Sequence, residues 1–170
     1  DSGEAAARGA VAARLLQNCG FCYEQIGRYD EALSAYAAAE ERYEALGLAQ
    51  QRAHIIENRG AVLMALGHVQ EALAAYAYAE EIYAADALEF YQAQTLINIG
   101  EAQLQLGNYM PSLRAFEQAA RLFDGLGHAV DRHILLRHMG DAYLMLNLHA
   151  EALDAYNQAR RGLQAAGLTL

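Results

Sequence analysis

Residues 58–79 read NRGAVLMALGHVQEALAAYAYA. The pattern occurs four times at constant spacing. Glycine stands at Gly20, Gly60, Gly100 and Gly140, and a small residue at Ala32, Ala72, Ser112 and Ala152. An aromatic follows at Tyr36, Tyr76, Phe116 and Tyr156, and a second alanine at Ala39, Ala79, Ala119 and Ala159. A fixed period of 40 residues marks a stacked array, in which each repeat is one supersecondary unit that buries its apolar face against its neighbours.

Each repeat divides into two helical stretches. In the second repeat, Ala53, Ile56, Gly60, Val62 and Leu63 recur at helical steps, and Leu73, Tyr76, Ala79 and Tyr83 do the same after Gly67. No stretch alternates with period two for long enough to be a strand. The period predicts eight helices, at about 4–26, 29–46, 49–66, 69–85, 88–106, 109–126, 130–146 and 149–166. Gly27, Gly67, Gly107 and Asn147 punctuate the hairpins, since both residue types accept the left-handed backbone of a helix stop. Gly47, Gly127 and Gly167 close the second helices, and Ala87 at the fourth such place predicts a tighter or irregular joint. Pro111 falls near a helix start, where its missing N–H costs little. The mid-helix glycines imply close helix approach, and the aromatics are expected to fill the space between hairpins. The reading is an all-α, right-handed superhelical solenoid of four helix-turn-helix hairpins. It is one domain over 1–170, with repeats at about 10–48, 49–87, 88–128 and 129–167.

The 170 residues carry a net charge of −9, from 21 acids and 12 bases, and every base is arginine. An acidic chain without a basic patch argues against a nucleic-acid partner. Residues 1–86 hold 13 acids and 6 arginines, whereas residues 87–170 hold 8 and 6. This asymmetry serves solubility, or steers a basic partner. No apolar run approaches the roughly 18 residues of a membrane span. Two cysteines without a secretory signal point to a reducing compartment, the cytoplasm.

The glycine, alanine, aromatic, alanine set resembles the tetratricopeptide repeat. Leu16, Ile56, Leu96 and Leu136 stand at that family's first large position. Tyr23, Leu63, Gln103 and Tyr143 stand at its tyrosine position, where Gln103 departs from the pattern. The usual unit has 34 residues. The longer unit here is similar to the Leu-Gly-Asn repeats of spindle-orientation scaffolds, to kinesin light chains and to bacterial sensor arrays. The resemblance implies that the first helices build a concave inner face. It also implies that an asparagine there holds the backbone of a bound peptide.

Asn18, Asn58 and Asn98 stand two residues before their glycines, with His138 in the fourth place. Groups that both donate and accept hydrogen bonds, at this period, make a ladder along one face. It either contacts a ligand or ties neighbouring helices together. By the same resemblance Phe21, Met64, Leu104 and Leu144 supply apolar pockets on that face. Glu24, Glu57, Glu101 and Asp141 favour basic partner residues, and Arg14 and Arg137 anchor a carboxylate at the ends. The repeats that grip chaperone C-termini use a cationic clamp. Gln17, Phe21, Asn58, Gln94 and Asn98 occupy the matching places here, so that ligand class is rejected.

No motif carries catalytic or cofactor chemistry. Cys19 and Cys22 form a CxxC in mid-helix without partner ligands, and they read as small buried hydrophobes. The six histidines form no HExxH, and no phosphate-binding glycine loop opens a helix. The pairs Glu40-Glu41 and Glu80-Glu81 read as solvated helix ends. No enzyme activity, cofactor or metal is expected. The expected role is a scaffold that binds a protein or peptide segment in its concave groove. The alternative is a sensor or regulatory segment of a multidomain ATPase, transcription regulator or caspase-like protease. Both ends read as cut from a longer protein. Leu163, Leu168 and Leu170 are expected to form an apolar patch that supports weak end-to-end self-association.

Overall fold

The computed structural model describes residues 2–168. Among these it has eight helices and no strand, as the period predicts. They are α1 (Ser2–Gln25), α2 (Tyr29–Ala45), α3 (Ala49–Ala65), α4 (Val69–Ala85), α5 (Glu89–Gln105), α6 (Tyr109–Leu126), α7 (Ala129–Met145) and α8 (His149–Ala165). They form two compact units, Asp1–Asp86 with α1 to α4 and Ala87–Leu170 with α5 to α8. Within each unit, consecutive helices pair as hairpins. The second hairpin stacks on the first through α2 against α3, or α6 against α7.

The turns follow from left-handed residues. At the end of α3, Gly67 (φ +80°) lets its own N–H donate to the Met64 carbonyl at 3.0 Å. The next N–H, of His68, reaches the Leu63 carbonyl at 2.8 Å. This double closure satisfies carbonyls that the helix end would leave open. Asn147 adopts the same conformation at φ 58°. Ala87 also has a left-handed backbone, at φ 54°. The cost is roughly the 1–2 kcal/mol of left-handed strain.

Each mid-helix glycine is a seat for its hairpin's aromatic ring. A Cβ on Gly20 or Gly60 would lie 2.6 Å from the ring of Tyr36 or Tyr76, and one on Gly140 would lie 2.5 Å from that of Tyr156. Gly100 and Phe116 repeat the contact. The glycine costs about 1 kcal/mol of helix propensity. Burial of a large side chain returns about 1.5–3 kcal/mol, so the exchange is favourable. The aromatics were expected between hairpins; each rests first on the bare helix of its own hairpin. The core then continues across to the next hairpin, through Ile55 and Val62 of α3 and through Leu135 and Ala142 of α7.

One hairpin exchanges large for small. Ala13, Ala53 and Ala93 are fully buried, and His133 holds the fourth place of their column. Gly162 stands where Arg42, Ile82 and Leu122 stand in the other repeats, and a Cβ on it would collide with the His133 ring. The imidazole therefore occupies space that a larger residue at 162 would fill. Its Nδ1 is buried without a hydrogen-bond partner.

Three expectations are corrected. Cys19 and Cys22 are exposed rather than buried. They lie on the outer surface of α1 with Leu15, which is 61% exposed, whereas the equivalent Ile55 and Val62 of α3 are covered. Glu40 is not a solvated helix end, because it turns inward to Arg52 and Arg59. Leu163 is buried under its own hairpin, while Leu153 is 63% exposed instead. Leu168 is exposed as expected, and Leu170 lies outside the described residues.

Candidate functional site

The side chains predicted for the inner face come from the first helix of each hairpin. On α1, Arg14, Asn18 and Phe21 follow at steps of four and three, so they share one face. All three are exposed, and Phe21 is 56% exposed. On α3, Glu57, Asn58 and Met64 are half-buried. On α5, Asn98, Glu101 and Leu104 are half-buried too, and Leu104 also packs against the core. On α7, Arg137 and Leu144 are exposed, whereas His138 and Asp141 are half-buried.

In the second unit four of these residues join into one polar row. His138 Nδ1 lies 2.9 Å from Glu101 Oε1, which brings α7 to α5. Arg137 Nη2 lies 2.9 Å from His138 Nε2. A guanidinium can only donate, so Nε2 accepts and Nδ1 carries the proton given to Glu101. Arg137 Nη1 also donates to Asp141 Oδ2 at 3.3 Å, and the Tyr156 hydroxyl donates to Asp141 Oδ1 at 2.6 Å. The hydrogen bond from His138 holds the Glu101 carboxyl below its ordinary range. Burial, then the bond to Asp141, pushes Tyr156 up to about 12.

The first unit ties its inner-face acceptors from behind with tyrosine hydroxyls. Tyr36 donates to Glu24 at 2.8 Å, Tyr43 to Gln17 at 3.1 Å and Tyr83 to Glu57 at 3.4 Å. Burial raises Tyr36 and Tyr43 above the ordinary phenol range. Sequence reasoning took these aromatics as space fillers and missed their hydroxyls. The signal was the choice of tyrosine over phenylalanine at 36, 43, 83 and 156. Phe116 has no hydroxyl, and there His138 packs on the ring at 5.8 Å and serves Glu101 in its place.

These are hydrogen-bonding groups fixed by one another, beside the exposed apolar side chains of Phe21 and Leu144. Among the described residues no group of His, Cys, Asp and Glu is placed to hold a metal ion, and no helix is long and apolar enough to cross a membrane.

The family model of the tetratricopeptide repeat matches residues 91–165. Among solved structures, BtubC (BKLC) from P. vanneervenii is 19% identical, with a TM-score of 0.85 over 93% of this chain and 65% of that one. A Rap protein complexed with Competence and Sporulation Factor is 18% identical, with a TM-score of 0.81 over 91% of this chain and 43% of that one. TPR-like repeats of a putative kinesin light chain from Podospora anserina are 16% identical, with a TM-score of 0.79 over 91% and 76%. The chain thus spans less than two thirds of the first two. No curated protein matches it. The chain has the tetratricopeptide-repeat fold in both units, and its residues 91–165 match the model of that repeat family.

Proposed function

We propose that the chain is a non-enzymatic interaction module that binds a peptide segment of a partner along the inner faces of its first helices. The observation that carries this reading is the exposure of large apolar side chains beside hydrogen-bonding groups at the predicted register. Phe21 stands in solvent next to Asn18, and Leu144 next to the Arg137–His138–Asp141 row. In the first unit apolar side chains of a partner would seat on Phe21 and Met64, while Asn18 and Asn58 would hold its backbone. In the second unit Leu104, Leu144 and Asn98 would do the same, and His138, whose two ring nitrogens are taken by Glu101 and Arg137, would set Glu101 in place instead of holding the peptide. Each such hydrogen bond is worth about 0.5–1.5 kcal/mol net. Glu57, Glu101 and Asp141 would favour basic residues in that segment, and Arg14 and Arg137 would meet a carboxylate. The solved complex of a Rap protein with Competence and Sporulation Factor supports a binding role for this fold. A second reading, a regulatory segment of a larger signalling protein, is favoured by the 43% of that Rap chain which this chain spans.

The test is the double substitution Asn58→Ala with Asn98→Ala, with peptides selected on the unaltered chain as ligands. Loss of peptide binding with an unchanged thermal melt supports the reading. Unchanged binding removes the ladder from the site, and unfolding makes the ladder structural.

A further inference from the structure

The exposed face of α7 carries a strip that has the same order from either end, apart from the sign of its charges. Ile134, Arg137, Asp141 and Leu144 follow at steps of three, four and three, and they fall within about 80° of one another around the helix. Ile134 and Leu144 are both 42% exposed, and Arg137 stands further out in solvent. The two pairs are nested about one midpoint, Met139. Val130, near the helix start, and Leu148, in the turn after its end, are exposed too and share that midpoint.

Such an order complements itself in one orientation only. When two copies of α7 meet face to face and antiparallel about Met139, Arg137 of each faces Asp141 of the other. Ile134 of each then faces Leu144 of the other. Residue i meets j while j meets i, which is the condition for a two-fold interface. A parallel arrangement sets arginine against arginine and aspartate against aspartate. The charges thus select orientation and register, and the apolar pairs supply the attraction.

The charged groups are held in place within each copy. Asp141 Oδ1 accepts from the Tyr156 hydroxyl at 2.6 Å, and Oδ2 accepts from Arg137 at 3.3 Å. Arg137 also donates to His138 Nε2 at 2.9 Å. Groups fixed beforehand lose less freedom when a partner arrives. The other first helices lack this order. At the two central places α1 has Gln17 and Phe21, α3 has Glu57 and Ala61, and α5 has Ile97 and Glu101. The packing of a hairpin therefore does not demand an opposite pair of charges there.

We infer that the chain forms a two-fold dimer through the α7 strips of two copies, antiparallel about Met139. This goes beyond the peptide-binding reading and does not rest on it. The strip shares Arg137, Asp141 and Leu144 with the surface proposed for the peptide, so the dimer would cover that surface in the second unit. One helix strip contributes less than the roughly 1,200–2,000 Å² of a standard interface, so the dimer is expected to be weak and concentration dependent.

Sedimentation equilibrium of the full chain, with no peptide present, tests this independently of peptide binding. The expected result is a monomer–dimer equilibrium whose dissociation constant rises about tenfold or more in Ile134→Gln, in Arg137→Asp and in Asp141→Arg. Ile134→Gln installs the residue that α5 carries at that place, Gln94, so the fold should tolerate it. The deciding measurement mixes the two charge reversals. Arg137→Asp puts two acids at the centre of the strip and Asp141→Arg puts two arginines there. Each variant repels itself, and the two attract one another. An equimolar mixture should dimerise where neither variant does alone, and a gain of this kind cannot come from contacts within one chain. Thermal melts establish that each variant is folded. Should Asp141→Arg unfold through loss of the Tyr156 bond, Ile134→Gln decides alone. A monomer at every concentration, a dimer indifferent to Ile134→Gln, or a mixture of folded reversals no more associated than its components would each overturn the inference.

Discussion

The α2–α3 junction of the first unit and the α6–α7 junction of the second are built on the same frame with different chemistry. Both carry one ion pair at the same register, Glu44 with Arg52 and Asp124 with Arg132. The first adds Glu40, Arg59 and an arginine stacked on Tyr78, where the second has Ala120, Met139 and Gln158. Stacking of hairpins thus needs the apolar seam and tolerates a single ion pair. Additional half-buried charges cost desolvation, and replacing such groups with packed apolar ones is often neutral or stabilising. The contrast separates residues that both junctions share from residues that the first alone carries.

The largest effect is expected where the second unit departs from the common packing. Gly162→Ile installs the residue found at Ile82 and drives a branched side chain into the His133 ring. Overpacking of this kind costs about 1–3 kcal/mol. Adding His133→Ala recreates the arrangement of Ala53 with Ile82 and should bring stability back to within about 1 kcal/mol of the parent. Urea denaturation of the four proteins in this cycle measures the coupling. Additive losses would show that the two residues do not share space.

Next comes a conversion of the first junction into the second. Glu40→Ala alone strands Arg59 and weakens the setting of Arg52, at an expected cost of about 1–2 kcal/mol for a partly buried pair. Glu40→Ala with Arg59→Met copies Ala120 and Met139 and should recover most of that loss. A double variant no more stable than Glu40→Ala would mean that the charges are part of the first junction's stability.

The frame of this molecule was legible in the sequence because each repeat states it again. Four glycines and four aromatics in constant register leave one solution, a ring seated on a bare stretch of helix, and the structure has it four times. The inner-face assignment was legible as a face but not as a network, because hydrogen bonds such as Tyr156 to Asp141 join residues on different helices at offsets that vary between repeats. The cluster of Glu40, Arg52, Arg59 and Tyr78 was not foreseen. Its residues lie on α2, α3 and α4, and only the three-dimensional stack places Glu40 opposite Arg59. The breaks in the columns were visible, though. His133 among alanines, Gly162 among large residues and Ser112 among alanines each mark a local adjustment.

Ser112 gives a smaller, reciprocal comparison. Its hydroxyl is fully buried and has no partner, while Ala32 occupies the same place in the first unit, also fully buried. An unsatisfied buried hydroxyl is unfavourable by about 1 kcal/mol or more. Ser112→Ala should therefore stabilise the protein by about 1 kcal/mol, and Ala32→Ser should destabilise it by a similar amount. Chemical denaturation of both variants tests the pair. If Ser112→Ala loses stability, the hydroxyl has a partner after all.

The smallest effect concerns acid. In the second unit the Glu101 carboxyl accepts from His138 at 2.9 Å, and that hydrogen bond lowers its pKa below the ordinary 4.5. The corresponding places in the first unit, Phe21 and Ala61, carry no carboxylate, so the effect belongs to one unit. A folded-state pKa below the unfolded value means that the unfolded chain binds the proton more readily. The stabilisation is thus present above the ordinary carboxylate range and is lost as pH falls through the lowered value. Between about pH 5 and pH 3 the parent should lose more stability than Glu101→Gln, whose amide does not titrate there. The difference should be modest, because the Glu101 side chain is 43% exposed and solvent screens the interaction. Thermal melts across that range, compared between the parent and Glu101→Gln, measure it. Parallel pH profiles would mean that His138 holds α7 to α5 by shape and packing on Phe116, and that its hydrogen bond to Glu101 adds nothing to stability.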